Sequence, residues 1–319
     1  MANGQIENAY DGITDFEYRT HAKKRILSGF PLLDKLTKGF EVGCVTVWTG
    51  VSNVGKTTLL TAIINAAIEQ NHKVFTFNGE QSREDFRNNL YIQSSDPEDL
   101  YYEKYQDTEI TDVFVKEKRR YELDRKYGGR LFIYNNDAPR GIKSLLHEME
   151  DANIVHNVDV FVLDNFMQID MQGSDILQEQ SRVMEELRTF AVKKQVHIHL
   201  VAHPRKMQDF HIRLSMFDIS GSMNVANKAY NIIAIERVDM MDKQSTEYQK
   251  LKEYLLSKRY DIEKTGTILE VLKTKGTACG IVPLMFDMET KAFKEQPELP
   301  SEVWEKKKHE KTESGFRKR

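Results

Sequence analysis

The chain has 319 residues, 40% of them hydrophobic and 30% charged, with a formal net charge of −3 at pH 7. This length accommodates one large domain or two modest ones, and 16 Phe and 13 Tyr argue against disorder over most of the chain. There are only two cysteines, Cys44 and Cys279, and neither lies in a C-x-x-C pair, which argues against a disulfide framework or a thiolate metal site. The composition therefore favours a globular protein of a reducing compartment.

No apolar run of the sequence approaches the roughly 18 residues that a membrane-spanning helix needs. Residues 1–10 are polar and lack the apolar core of a signal peptide. We expect a soluble, cytoplasmic protein with no membrane partner, which would lie in the host cytoplasm if a phage encodes it. The near-neutral charge neither requires nor excludes nucleic acid as a partner, because one basic loop is enough to bind it.

Polar residues dominate positions 1–27, and we expect an N-terminal arm or linker there. From residue 28 onward, apolar β-branched runs alternate with segments whose apolar residues recur at helical spacing. This alternation predicts an α/β fold over residues 28–292, with a mainly parallel sheet flanked by helices. The predicted strands are 45–49, 73–77, 131–134, 158–163, 196–202 and 231–235, and the mostly helical segments are 58–70, 82–127, 141–153 and 176–195.

The end of the chain has a different character. Residues 268–272 and 281–286 are two apolar runs that predict a terminal β-hairpin at one edge of the sheet. Beyond them the sequence becomes rich in Lys and Glu, including three consecutive lysines at 306–308. This composition predicts that residues 293–319 form a charged, disordered tail.

Residues 50–57 read Gly-Val-Ser-Asn-Val-Gly-Lys-Thr and lie between a predicted strand and a predicted helix. This context is typical of a phosphate-binding P-loop, in which backbone N–H groups close around a phosphate chain at a helix N-terminus. We expect Lys56 to reach the β- and γ-phosphates of ATP, and the Thr57 hydroxyl to bind Mg²⁺. The residues predicted to bind the nucleotide here are Gly50, Val51, Ser52, Asn53, Val54, Gly55, Lys56, Thr57 and Thr58.

Three side chains at the ends of predicted strands are candidates for the rest of the site. Asp164 is expected to complete the Mg²⁺ site, because parallel strands present ligand groups at their carboxyl ends. Glu80 is the candidate for activating water, with a helix-start residue as the alternative. His203 is placed to sense the γ-phosphate. His197 and His199 do not form an ordinary zinc pattern with it, so we expect them to be packed or on the surface.

These motifs, in this order, resemble the RecA-like core of superfamily 4 replicative helicases, the DnaB-type family that includes Twinkle and the helicase half of phage primase–helicases. The resemblance covers roughly residues 26–292. The segments that discriminate best are His-Pro-Arg-Lys at 203–206 and Ile-Ser-Gly-Ser at 219–222. The other matching positions are the loop at 50–57, Glu80, the segment Val162-Leu163-Asp164-Asn165, residues 199–202, Asp218, and residues 231–237 and 272–287.

The resemblance implies a ring, usually a hexamer, with ATP between subunits and single-stranded DNA in the central channel. It implies that Glu80 activates water, that Asp164 acts with Mg²⁺ and that His203 couples the nucleotide state to DNA. Loops at about 166–180 and 206–224 would line the channel, although an ordinary polar surface loop is the alternative. The candidate DNA contacts are Lys206, Arg213, Ser222 and Asn224.

Arg237 and Phe286 match positions that flank the nucleotide base in this family, although a surface arginine and an edge phenylalanine are alternatives. The family also has a Lys-x-Arg pair that reaches the γ-phosphate of a neighbouring subunit. Here the pair is Lys273 and Lys275, with a lysine where the arginine finger is expected. Lysine keeps the charge but lacks the planar fork of donors, so we expect ATP binding with weakened turnover; a contribution from Arg259 in its place is the alternative.

The leading hypothesis is an ATP-dependent DNA helicase that translocates on single-stranded DNA and unwinds duplex during replication. A RecA- or KaiC-like ATPase, stimulated by DNA but unable to unwind it, shares the loop, Glu80 and Asp164. An ATP-stabilised ring or clamp without catalysis is the other alternative, and Lys275 keeps it open. We expect no primase domain within residues 1–27, so a primase or polymerase partner would be a separate protein.

Overall fold

The computed structural model describes residues 25–106, 111–171, 175–205, 213–219 and 223–316, with side chains up to residue 308. The strands are β1 Arg25–Ile26, β2 Phe40–Glu41, β3 Cys44–Thr49, β4 Val74–Asn78, β5 Leu100–Lys104, β6 Thr111–Val115, β7 Leu131–Ile133, β8 Val160–Asp164, β9 His197–Val201, β10 Asn231–Arg237, β11 Thr267–Lys273, β12 Gly280–Asp287 and β13 Ala292–Glu295. The helices are α1 Pro31–Thr37, α2 Lys56–Glu69, α3 Arg83–Gln93, α4 Glu117–Tyr127, α5 Ile142–His156, α6 Ile176–Lys194, α7 Met223–Lys228, α8 Thr246–Ser257 and α9 Ser301–Phe316. Short 3-10 turns cover Pro97–Asp99, Phe166–Gln168, Val238–Met240 and Ile262–Lys264.

Within the described residues, nine strands form one sheet in the order β13-β12-β11-β10-β3-β9-β8-β4-β7. The strands from β10 to β7 in this order run parallel, whereas β11, β12 and β13 pair antiparallel at one edge. This arrangement confirms the predicted α/β fold with its mainly parallel sheet and the hairpin at one edge. The P-loop follows β3, which lies in the middle of the sheet.

Helices cover both faces of the sheet because its central strands carry apolar side chains on both sides. On β8, Val160 and Val162 pack in one core cluster with α2, whereas Phe161 and Leu163 pack in a second cluster with α5 and α6. Successive side chains of a strand point to opposite faces, so a continuous apolar run fills two cores at once. The carboxyl ends of the parallel strands are thereby fixed side by side at one edge of the sheet.

The region 82–127 differs from the sequence prediction. Among its described residues the α-helices are α3 and α4, and between them β5 and β6 pair as an antiparallel hairpin outside the main sheet. Four of the five β5 residues are exposed, so their apolar pattern carries no burial signal. An exposed hairpin lacks the alternation of apolar and polar residues that marks a half-buried strand. The charged composition of this region therefore predicted helices where β5 and β6 form a hairpin.

The two ends of the folded part also need correcting. The arm predicted for residues 1–27 lies outside the described residues up to position 24, but Arg25 and Ile26 already pair with β2. At the other end, the predicted disorder from 293 onward is contradicted by β13 and α9. Phe293 is buried, and the indole of Trp304 donates to the Leu256 carbonyl at 2.7 Å. These anchors are single residues within a charged sequence, so composition alone concealed them.

Candidate functional site

The loop between β3 and α2 is curled tightly around its own backbone. Asn53 and Gly55 have positive φ angles of 64° and 92°. A Cβ atom at Gly55 would lie 3.0 Å from the Phe293 ring, and one at Gly50 would lie 2.7 Å from the Ile235 carbonyl oxygen. Only glycine fits these two positions, because a side chain would meet backbone or a buried ring. The loop therefore has the shape that brings backbone N–H groups close to a phosphate chain.

Lys56 is buried at the start of α2, and its ammonium group donates to the carbonyls of Gly50 and Val51 at 2.9 and 2.7 Å. Burial lowers the pKa of Lys56, and the nearby carboxylates of Asp164 and Glu80 oppose that shift. The lysine thus lies across the mouth of the loop, beside both candidate acids. The structure brings these three predicted residues together.

Thr57 and Asp164 meet at the end of β8. The Thr57 hydroxyl donates to Asp164 Oδ2 at 2.6 Å, and only 4% of Asp164 is exposed. Burial raises the pKa of the Asp164 carboxyl, the hydrogen bond from Thr57 lowers it and the charge of Glu80 raises it further. A buried carboxylate held next to a hydroxyl oxygen at a phosphate loop is the kind of donor set that Mg²⁺ takes together with phosphate oxygens.

The charge at this edge also fits a nucleotide with a divalent cation. The site carries one ammonium, Lys56, against two carboxylates, Asp164 and Glu80. A polyphosphate would add further negative charge, which these side chains cannot balance by themselves. Oxygen ligands and an excess of negative charge both favour Mg²⁺. Thr57 and Asp164 are the residues that would hold it.

Glu80 lies next to the loop through a turn that follows β4. The amide oxygen of Asn78 accepts the backbone N–H groups of Glu80 and Gln81, both at 3.3 Å. The N–H of Gly79 donates to the Asp164 carbonyl at 2.9 Å, which ties this turn to β8. The backbone at Glu80 is therefore held by the Asn78 side chain and by the strand that carries Asp164.

Asn165 joins Glu80 to His203; it ends the segment 162–165 that carries the family resemblance, but no role was predicted for it from the sequence. Its amide nitrogen contacts a carboxylate oxygen of Glu80 and lies 3.0 Å from His203 Nε2, while its amide oxygen accepts from the Met167 N–H. Because that oxygen accepts the Met167 N–H, the amide NH₂ group faces Glu80 and His203, so His203 Nε2 accepts a hydrogen bond from Asn165. The available signal was position, because Asn165 directly follows Asp164 at the carboxyl end of β8.

His203 is neutral in this arrangement. Burial lowers its pKa, as does the positive charge of Lys56, whereas Glu80 at 3.7 Å raises it. A neutral imidazole that accepts from Asn165 responds to any change in the position of the Glu80 carboxylate. The structure therefore connects two predicted residues, Glu80 and His203, through one asparagine.

The other two histidines of β9 are packed in the core. His197 contacts the Glu41 carbonyl at 2.7 Å and the Thr46 hydroxyl at 3.1 Å, and His199 accepts from the Trp48 indole at 3.1 Å. Burial lowers the pKa of His197 to about 4 and that of His199 well below its usual value. Both rings are neutral packing groups.

Arg237 and Phe286 lie at the same edge of the sheet as the loop. Ala234 pairs with Thr49 at the end of β3, so Arg237 extends beyond that end, where it forms an ion pair with Asp239. Phe286 contacts Phe293, the ring that packs against Gly55, with centroids 5.0 Å apart. Both side chains are partly exposed beside the loop, where a base could stack on them.

Lys273 and Lys275 lie at the opposite ends of the strands, away from the P-loop. Lys273 pairs with Ile232 near the start of β10, which runs parallel to β3. The strand end that carries the two lysines is therefore the far end from this chain's own P-loop. The Lys273 ammonium donates to the carbonyls of Ala226 and Asn227 at 2.8 and 2.9 Å, at the end of α7.

The family model of the DnaB-like helicase C terminal domain matches residues 26–295. The chain belongs to this family.

Solved structures agree with the family on the fold. A DnaB-like replicative helicase, solved in a study of its interactions with primase, is 16% identical, with a TM-score of 0.69 over 90% of this chain and 68% of that one. A second solved structure, an ATPase domain by itself, is 15% identical, with a TM-score of 0.66 over 88% of this chain and 95% of that one. At these identities the likeness shows the RecA-like fold of the DnaB-like domain.

The candidate DNA contacts of this DnaB-like domain have mixed outcomes. Lys206 and Ser222 lie outside the described residues. Asn224 is exposed near the start of α7. Arg213, however, forms an ion pair with Glu270 and lies 3.9 Å from Glu236, and 22% of its side chain is exposed. Its guanidinium is engaged with carboxylates of β10 and β11 in this structure.

The Arg213 cluster of the DnaB-like domain predicts a pH-dependent stability. Burial raises the pKa of Glu236 to about 7, with Arg213 lowering it and Glu270 raising it. Because this folded-state pKa lies above the unfolded value, Glu236 stabilises the fold fully only below about pH 4.5, and the contribution is lost as pH rises through about 7. We expect the free energy of unfolding to fall by up to about 3 kcal/mol over this window relative to Glu236→Gln.

Urea denaturation at several pH values measures this difference. The exposed Glu289→Gln is the matched control and should follow the wild type at every pH. Parallel curves for the wild type and Glu236→Gln would contradict the account of this cluster.

No helix in the described part of the DnaB-like domain combines the length and apolarity that a bilayer span requires.

Proposed function

We propose that this protein is an ATP-dependent DNA helicase that assembles as a ring, translocates on single-stranded DNA and unwinds duplex during replication. The observation that carries the proposal is the contact of Asn165 with both Glu80 and His203, next to the Thr57–Asp164 pair. This arrangement supports a catalytic γ-phosphate site connected to a histidine at the base of a candidate DNA loop. Membership of the DnaB-like family supports the same reaction class.

The residues of one chain divide the hydrolysis between them. Lys56 would turn from the loop carbonyls toward the β- and γ-phosphates, and Thr57 and Asp164 would hold Mg²⁺, which neutralises phosphate charge when bound. Glu80 would accept a proton from the attacking water. The water oxygen then bonds to the γ-phosphorus, and the bond to the bridging oxygen breaks with its electron pair leaving on ADP.

The second half of the site would come from a neighbouring copy. Lys273 and Lys275 lie at the strand ends opposite this chain's own loop, which supports a role at another subunit's nucleotide. A ring, usually a hexamer in this family, would place that edge of one subunit against the loop of the next. A γ-phosphate contact from Lys275 would then link hydrolysis to assembly.

Lys275→Arg is expected to raise the ATPase kcat by about tenfold, because guanidinium offers a planar fork of donors to the transferring phosphoryl group. The measurement is steady-state ATP hydrolysis with saturating single-stranded DNA. Lys258→Arg is the matched control, since Lys258 is another exposed lysine, whose ammonium lies 6.0 Å from the centroid of the Tyr254 ring. An unchanged kcat in Lys275→Arg would remove this position from the site.

DNA binding and partners are the further parts of the proposal. Lys206, Ser222 and Asn224 are the proposed contacts to the phosphate backbone, which needs charge and position rather than base readout. The DnaB-like replicative helicase to which this fold is similar interacts with primase. We propose that this chain likewise works with a separate primase or polymerase.

Two alternatives remain to be separated from the helicase by experiment. Displacement of a labelled strand from a forked duplex, dependent on ATP, is the expected result. Hydrolysis stimulated by single strands without displacement would instead favour a RecA- or KaiC-like ATPase. Absence of hydrolysis, with nucleotide still bound, would favour a ring or clamp. The lysine at position 275, where the family has an arginine finger, is the reason for considering that last alternative.

A further inference from the structure

Lys275 lies on a turn that is rigidly attached to the domain. The Thr274 hydroxyl donates to the Asn231 amide oxygen at 2.8 Å and accepts the Gly276 N–H at 2.8 Å. Gly276 approaches α1 so closely that a Cβ there would lie 2.3 Å from the Thr37 carbonyl oxygen. The N–H of Thr277 donates to the Leu36 carbonyl at 3.0 Å. The backbone that carries Lys275 is therefore fixed, while its side chain is exposed.

Within the described residues, the ammonium of Lys275 has one side-chain contact. It lies over the ring of Tyr230, 5.8 Å from the ring centroid. That separation is within the range of a cation–π interaction, which at an exposed site restricts a flexible ammonium only modestly. The exposed lysine is thus biased toward one direction by an aromatic face.

Hydrogen bonds from its backbone and its hydroxyl hold Tyr230 in place. Its N–H donates to the Val45 carbonyl at 2.9 Å, and its hydroxyl donates to Glu41 at 3.0 Å. Glu41 is buried, and its other carboxylate oxygen lies 3.5 Å from the Arg25 guanidinium. Burial and the bond to Glu41 raise the pKa of Tyr230 to about 12, so the phenol stays protonated. The ring face is a fixed platform, not a mobile surface group.

We propose that Tyr230 is a positioning residue for Lys275, holding its ammonium at the subunit edge ready for the γ-phosphate of a neighbouring subunit. Glu41 acts behind it by orienting the phenol. This inference rests on the proposed trans role of Lys275 and adds the residue that prepares it. Preorganisation of a lysine that lacks the rigid fork of arginine reduces what must be ordered at the moment of hydrolysis.

A double-mutant cycle on the full chain tests the proposal. The variants are Tyr230→Leu, which removes the aromatic face, Tyr230→Phe, which keeps the face, Lys275→Ala, and the combination of Tyr230→Leu with Lys275→Ala. The readouts are kcat and KM for ATP with saturating single-stranded DNA, with thermal unfolding as a check of the fold. The matched control is Tyr254→Leu, because Tyr254 also lies under a lysine, away from the site.

We expect Tyr230→Leu to lower kcat about threefold, the size of an exposed cation–π interaction, with KM for ATP unchanged. Tyr230→Phe should retain most of the wild-type kcat. In the Lys275→Ala background, Tyr230→Leu should have no further effect on kcat, because the group that it positions is gone. Tyr254→Leu should leave kcat unchanged.

Two different failures are distinguishable. If Tyr230→Leu lowers kcat equally with and without Lys275→Ala, Tyr230 has only a structural role and the inference is overturned. The same conclusion follows if Tyr230→Leu leaves kcat unchanged while Lys275→Ala lowers it. If Lys275→Ala itself leaves kcat unchanged, the proposed trans role of the lysine fails, and the inference fails with it.

Discussion

Glu80→Gln should leave ATP bound and lower the rate of hydrolysis by about 10²–10⁴-fold, the usual effect of removing a general base. Glutamine keeps the size of the side chain and can still contact Asn165, but it cannot accept a proton from water. Nucleotide affinity should be unchanged because Lys56, Thr57 and Asp164 stay in place. Equilibrium binding of ATP and steady-state hydrolysis, measured on the same preparation, check both halves of the expectation.

The control for this experiment is close in sequence. Glu84 lies in the first turn of α3, where its side chain is 76% exposed and pairs with Arg83. Glu84→Gln should hydrolyse ATP at the wild-type rate. If Glu80→Gln retained full activity, or if Glu84→Gln lost as much as Glu80→Gln, the assignment of the water-activating residue would be wrong.

Lys56→Ala should abolish ATP binding at ordinary concentrations. Truncating one partner of a buried charge contact costs on the order of 2–5 kcal/mol, so we expect affinity to fall by at least about 30-fold. The loss is aggravated because the Asp164 and Glu80 carboxylates would then face the phosphates without a compensating ammonium. Calorimetric titration with ATP and Mg²⁺ measures this directly.

The Lys56→Ala experiment needs a check on the loop itself, since the lysine also donates to the carbonyls of Gly50 and Val51. Thermal unfolding without nucleotide shows whether the domain survives the change. Lys250→Ala, on the exposed side of α8, is the control for removing a lysine and should bind ATP normally. Binding by Lys56→Ala within about threefold of the wild type would contradict the role of this loop.

The half of the site that one chain supplies could be predicted, because Asp164, Glu80 and His203 each lie at the end of a recognisable strand. Parallel strands end at a common edge, so Asp164, Glu80 and His203 had to meet near the P-loop once the α/β fold was inferred. Local sequence therefore determined both the elements and their convergence. The contact between Thr57 and Asp164, 107 residues apart, follows from that topology.

What escaped prediction depends on partners distant in sequence or on single anchors. The ion pair of Arg213 with Glu270, 57 residues further along, has no local signal in the sequence. Asn165 has no composition signal, and its importance comes from two neighbours on other strands. The helix α9 has a charged sequence and is attached to the end of α8 by the bond from Trp304 to the Leu256 carbonyl. Charge patterning does not reveal that contact. Such contacts are tertiary, and local pattern does not encode them.

The central claim is that one ATP site is built from two copies of the chain, and the mass of the hydrolysing species tests it most directly. Light scattering across a concentration series, with ATP, Mg²⁺ and single-stranded DNA, should show a ring of several 37.1 kDa subunits. Specific ATPase activity should rise and fall with that assembly. Hydrolysis at the full rate by a 37.1 kDa monomer would contradict the claim.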